Sequence, residues 1–293
     1  MKHFCLSLFI LIILVIPFQG AKAASFLWKT SDDNNTVYLL GSIHALRAQD
    51  LPLPDIYMNA YEDAEKVVLE VDLSNDTLRK MNAEIMDMGV FKGDQTLSGV
   101  LGEKKFEELS EQAREHGLSL RLVDHYEPWY ASLFFAQIMM VQMGLSPELG
   151  VDKYFEDLAR QDGKDLGQLE TPEQQLGFFD NMRFDLQIML LEQTLREFDK
   201  GRELIDLMIE AWKAGDDQKL VSILEDDTST GLHPKIADIL LTKRNKQWVD
   251  PITGFIESDR DTLVIVGALH LVGRDNVIEL LEKQGYQFKR VAQ

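Results

Sequence analysis

Val264-Ile265-Val266-Gly267-Ala268-Leu269-His270 is the stretch that decides the fold, and Val37-Tyr38-Leu39-Leu40-Gly41-Ser42-Ile43-His44 repeats its form near the other end. Each is an apolar run of strand length that breaks at a glycine and offers a histidine three residues later. A continuous apolar run followed by a loop reads as a buried parallel strand, and α/β proteins place ligand sites just past the carboxyl ends of such strands. Glycine lets the backbone turn sharply or approach a ligand closely, which makes Gly41 and Gly267 candidate site residues. The two imidazoles stand 226 residues apart in the chain. Their matching contexts predict one site closed by the two ends of the fold.

The first 23 residues read as a signal peptide. Lys2 and His3 precede an apolar run from Phe4 to Phe18, followed by Ala21-Lys22-Ala23. That order gives a positive n-region, an h-region too short to span a membrane comfortably, and an Ala-x-Ala cleavage site. The expected mature chain is 24–293, periplasmic or secreted, with no stable membrane span. Cys5 is the only cysteine, so the mature chain would rest on its hydrophobic core rather than on disulfides. The formal charge of −19 becomes more negative without Lys2 and Lys22. Such a field disfavours nucleic acid and anionic membranes and favours cations.

Strands are expected at Thr36–Leu40, Lys66–Val71, Leu118–Val123, Lys164–Leu169, Thr262–Val266 and Tyr286–Val291, separated by helical patterns. Leu53–Ala64, Asp76–Met88, Glu103–His116, Trp129–Met143 and Asp275–Gln284 carry those patterns. Thr171-Pro172-Glu173-Gln174 is a capping box with proline at the first helical position. From there to about Glu257 the pattern is helical, with breaks near Gly201, Gly215 and Ser229–His233. The expected fold is α/β: a mixed sheet flanked by helices, one domain over 24–293, with a helical subdomain at about 171–258.

Glu70 lies within the apolar run Val67-Val68-Leu69-Glu70-Val71. A buried carboxylate is costly unless it is paired or binds a metal, so Glu70 either serves the site or faces an arginine or a helix end. Asp72, two residues on, would point to the same side by strand alternation. Glu170 follows the expected strand ending at Leu169, as a site carboxylate or a helix-dipole partner. Two histidines with one or two carboxylates are donors for an open divalent-metal site of zinc, manganese, cobalt or iron. They could equally be hydrogen-bonded structural residues at strand ends. Arg244-Asn245 could bind a substrate carboxylate or a developing oxyanion, or form a surface pair. His125 is the other histidine close to an expected strand end. No mature cysteine, Gly-x-Ser-x-Gly elbow, P-loop or dinucleotide fingerprint is present.

Taken in order, Leu40-Gly41-Ser42-Ile43-His44, Leu69-Glu70-Val71-Asp72, Pro128-Trp129, Gly150-Val151-Asp152, Leu169-Glu170-Thr171, Arg244-Asn245 and Val266–Gly273 resemble the TraB/GumN family, whose animal members are the Tiki proteases. The resemblance covers nearly all of the mature chain. It implies paired Gly-x-x-His loops and a glutamate around a metal, with manganese or cobalt dependence and metalloprotease activity in Tiki relatives. Carried over residue by residue, His44 and His270 would be ligands and Glu70 a ligand or general base. Arg244, Asn245 and Glu170 match further family positions. The expected function is an exported metal-dependent hydrolase, a peptidase acting on peptide or protein through metal-activated water. The alternative is a non-catalytic protein that binds a metal or haem or serves envelope polysaccharide assembly.

Overall fold

The computed structural model describes residues 24–196, 198, 200–225 and 232–292. The expected signal peptide lies outside them. The chain opens with β1 (Ala24–Ser31) and β2 (Thr36–Ser42), then α1 (Asp55–Asp63), β3 (Lys66–Leu69), α2 (Asn75–Met88), α3 (Leu97–Glu115), α4 (Pro128–Gln142) and α5 (Val151–Asp162). After β4 (Asp165–Gln168) come α6 (Pro172–Asp180), α7 (Phe184–Arg196), α8 (Gly201–Ala214), α9 (Asp217–Leu224), α10 (Pro234–Ala237) and α11 (Lys243–Ile256). The chain closes with β5 (Thr262–Gly267), α12 (Val277–Lys283) and β6 (Lys289–Ala292). This is an α/β fold with a mixed sheet and a helical insertion between β4 and β5.

The sheet order is β4-β3-β5-β2-β1-β6. β2 and β3 each run parallel to β5, and β4 runs parallel to β3, while β1 is antiparallel to both β2 and β6. Every residue of β5 is buried, which explains its unbroken apolar run: helices cover both faces, so no position can be polar for solvent. Trp212 of α8 donates from Nε1 to the Gly41 carbonyl at 2.8 Å, seating the insertion on the sheet. A second core forms away from the sheet, where α3, α4 and α7 bring together residues such as Phe106, Phe135 and Leu191.

Three expectations need correction. Leu118–Val123 is not a strand: Leu120–Val123 is a 3-10 helix. Leu120 and Val123 are buried while Leu122 is 70 % exposed, a spacing of three rather than two. The last strand starts only at Lys289. β1 was missed, because its core residues Phe26, Leu27 and Trp28 sit directly after the leader and show no alternation. The Thr171 capping box is present as expected.

Parallel pairing brings four chain ends to one edge. In register, Ser42 pairs with Gly267 and Leu69 with Gln168. The loops bearing His44 and His270 therefore leave adjacent strands side by side. Glu70 and Glu170 follow β3 and β4 at the same edge, tied by a bond from the Glu170 N–H to the Glu70 carbonyl at 2.8 Å.

Candidate active site

Glu70 is the hub. Its Oε1 accepts the Gly267 backbone N–H at 2.7 Å and lies 3.9 Å from His44 Nε2 and 3.8 Å from His270 Nε2. Its Oε2 accepts from Arg244 Nη2 at 2.6 Å. Arg244 also grips Glu170, with Nε 2.9 Å from Oε1 and Nη2 2.8 Å from Oε2. Trp248, one helical turn on in α11, donates from Nε1 to Glu170 Oε1 at 2.9 Å. The guanidinium is thus clamped between two buried carboxylates and packed over the Trp248 ring.

Each imidazole is oriented from behind. His44 Nδ1 is 2.8 Å from Asp152 Oδ2, and since an ionised carboxylate only accepts, Nδ1 carries the proton. His270 Nδ1 is 2.6 Å from Asn245 Oδ1. The Asn245 amide nitrogen donates to the Asp275 carbonyl, which fixes its oxygen toward His270. Both rings in their neutral form therefore aim an Nε2 lone pair at the same side of Glu70, the tautomer that metal coordination or proton acceptance requires.

The two histidines differ in setting. The His270 side chain is 4 % exposed and packs against Trp248, whereas that of His44 is 59 % exposed. Burial holds the His270 pKa well below its ordinary value, against the pull of Glu70 and with the help of Arg244. The protein around His44 opposes its charge, but Asp152 and Glu70 outweigh that and lift its pKa to about 9. Burial raises the Glu70 pKa, and His270, His44, Arg244 and the Gly267 N–H together bring it below the usual range. For Glu170, burial prevails and the shift is upward.

Among the described residues no three His, Cys, Asp or Glu side chains meet closely enough to hold a metal ion. His44, His270 and Glu70 nevertheless supply the donor chemistry of an open site. Their separations of 3.8 and 3.9 Å exceed the roughly 3.4 Å between ligands on a tetrahedral ion at ~2.1 Å. Closing by about half an ångström would suit an ion. A cavity of about 230 Å³ adjoins His44, Glu70 and Asp152. A larger one of about 660 Å³ lies beyond Asn245, and neither histidine nor Glu70 lines it.

Residues 26–290 match the family described as TraB/PrgY/gumN. The chain belongs to that family. It is similar to relatives in Escherichia coli (strain K12) and Shigella flexneri, each named "Uncharacterized protein YbaP". Each is 25 % identical over 252 residues, spanning 86 % of this chain and 90 % of the relative. No solved structure matches.

In this family member, six expected site residues come together: His44, Glu70, Glu170, Arg244, Asn245 and His270. Gly267 forms the floor, where a Cβ would stand 3.1 Å from His44 Nε2 and 3.4 Å from Glu70 Oε1. Gly41 lies beneath, with space for a Cβ limited by Ala268 Cα at 3.1 Å. Asp72 does not join them. β3 ends at Leu69, so strand alternation no longer governs Asp72, and its carboxylate instead accepts from Ser74 and Thr77 at the start of α2 and from Arg160 of α5. Arg244-Asn245 is buried, not a surface pair. His125 is exposed and takes no part in the cluster. Asp152 and Trp248 were missed as site residues. The signal for Asp152 was Gly150: a Cβ there would meet the His44 carbonyl at 2.3 Å, so a glycine must open α5 for its first turn to reach the histidine loop.

Proposed function

We propose that this chain is an exported hydrolase that cleaves amide or peptide bonds with water activated beside Glu70. The observation that carries this reading is the convergence of two imidazole Nε2 atoms on one Glu70 oxygen, with each Nδ1 held by its own acceptor. His44, His270 and Glu70 would hold a divalent ion such as manganese, cobalt or zinc, which would supply a water of lowered pKa and a Lewis acid for the substrate carbonyl. Around that point the chain's own residues do the positioning. Arg244 pins Glu70 so that Oε1 faces the histidines, Glu170 and Trp248 hold Arg244, and Asp152 and Asn245 set the ring tautomers. The carboxylates of Glu70, Glu170 and Asp152 stand against the Arg244 guanidinium and a His44 ring whose pKa is about 9, so the cluster keeps a net negative charge, which favours a cation. Export rests on the signal-peptide reading of residues 1–23. Among the described residues, no helix is long and apolar enough to cross a membrane.

A second reading is favoured by the separations of the donors and by the ion pair already formed on Glu70: hydrolysis without metal. Asp152 and His44 then form an acid–base pair whose exposed ring meets the substrate. Haem binding at this point is disfavoured, because about 230 Å³ falls below the roughly 300–1,000 Å³ of ordinary cofactor-sized pockets.

The test is a mixed peptide library incubated with chain 24–293, with manganese, cobalt or zinc and separately with chelator. New termini are read by mass spectrometry, beside Glu70→Gln. Cleavage that needs metal and is lost in the variant supports the first reading, and cleavage that survives chelation supports the second. No cleavage under any condition rejects both.

A further inference from the structure

The cavity beside His44 and Glu70 has a strongly apolar wall for a site so rich in charge. Leu69, Val71 and Ile265 are buried at its base, Leu73 and Leu78 are half-buried, and Pro147 is exposed at its rim. Nothing in the network of Glu70, Arg244 and the histidines needs that wall. Leu69 ends β3, Leu73 follows it and Leu78 lies in α2, so the wall and the carboxylate hub share one chain segment. The polar side chains around it are mostly committed: Asp152 holds His44, and Lys153 pairs with Glu156 and Asp157. Glu148, also lining the cavity, adds negative charge at the exposed rim.

We propose that this cavity is the side-chain subsite of the hydrolytic centre, and that it selects an apolar residue next to the carbonyl under attack. The proposal rests on the hydrolase reading above and names its substrate class. A volume of about 230 Å³ admits one apolar side chain, aliphatic or aromatic, since an apolar cavity of about 150 Å³ already holds a benzene ring. Apolar walls bind methyl and methylene groups and leave a polar side chain unpaired. An acidic side chain would also face Glu70, Glu148 and Asp152.

The test uses peptides of one sequence with Gly, Ala, Leu, Phe, Lys or Asp at the varied position, and reads kcat/KM for each. Leu should exceed Gly by at least about tenfold, the size of discrimination that a few methylene groups give in an apolar pocket, and Asp should be poorest. Leu78→Ala should move the preference toward Phe, and Leu78→Trp toward Gly or Ala. A structural defect would lower all substrates in proportion, which would overturn the assignment, as would cleavage with equal rates across the series. If no peptide is cleaved, the hydrolase reading fails and the subsite is judged by binding alone. Methyl-labelled protein is then titrated with N-acetyl-leucinamide and N-acetyl-glycinamide. Shifts at Leu73, Leu78 and Ile265 with the first only support the cavity's selectivity, and no shift with either rejects it.

Discussion

Replacing Arg244 by methionine keeps the packing over Trp248 and removes the single cation between Glu70 and Glu170. All three side chains are nearly buried, at 11, 8 and 2 % exposed, so solvent cannot take over the arginine's role. Breaking a buried ion pair from one side costs about 3–5 kcal/mol. An independent bound agrees: the folded variant can instead take up a proton, and protonating a glutamate of ordinary pKa at pH 7 costs about 3.7 kcal/mol. The expected loss is therefore about 3–4 kcal/mol at pH 7, or roughly 6–15 °C in Tm for a chain of this size. The sign with pH follows from linkage. A carboxyl whose folded pKa is raised destabilises above its unfolded pKa, so the deficit should shrink by about 1.4 kcal/mol per unit as pH falls from 7 toward 5. Urea unfolding of the parent chain, Arg244→Met, and Arg244→Met with Glu170→Gln, at pH 7 and pH 5, measures it. The double variant should regain a large part of the loss. A deficit that is the same at both pH values, or no recovery in the double variant, would refute charge balance as the reason Arg244 is there.

Gly267→Ala tests the floor of the site. Gly267 has φ −53° and ψ 138°, so alanine fits the backbone, yet its Cβ would stand 3.1 Å from His44 Nε2, which must give by a few tenths of an ångström, and would touch Glu70 and His270 at ordinary contact distance. The chain should fold, losing about 1–3 kcal/mol, while hydrolysis or metal affinity falls at least about tenfold. Asp152→Ala should return the His44 midpoint from about 9 toward the ordinary ~6.5, read from its ring proton by NMR titration. An unchanged midpoint would show that Asp152 does not set the ring's charge. Asp72 lies outside the site, and its pKa is lowered to about 2: burial alone would raise it, and Thr77 and Ser74 prevail. Its contribution to stability is present above pH ~3.8 and is lost as pH falls toward 2. Asp72→Asn should thus be less stable at pH 6, with the gap closing at pH 3 and hydrolysis unaffected.

The parallel strands of the site were legible because burial on both faces leaves continuous apolar runs, and because glycine at their ends marks a tight turn. Paired parallel strands then put His44 and His270 together without further information. Glu70 stood out as a carboxylate inside an apolar run. Asp72 misled because alternation holds only while the strand lasts, and β3 stops at Leu69. Trp248 and Asp152 were hidden because helices present them: partners fixed by packing between distant elements leave no local period to read. Leu118–Val123 failed for a related reason, since six residues are too few to separate a period of two from one of three.

The most direct test is cobalt(II) titration of chain 24–293, followed by its visible absorption and by metal content after desalting, beside a His44→Ala, His270→Ala double variant. The expected result is one retained cobalt per chain with visible ligand-field bands, and loss of both in the variant while its far-UV circular dichroism is unchanged. Equal cobalt in the two proteins, or none in either, would contradict a cation held between the two imidazoles and Glu70.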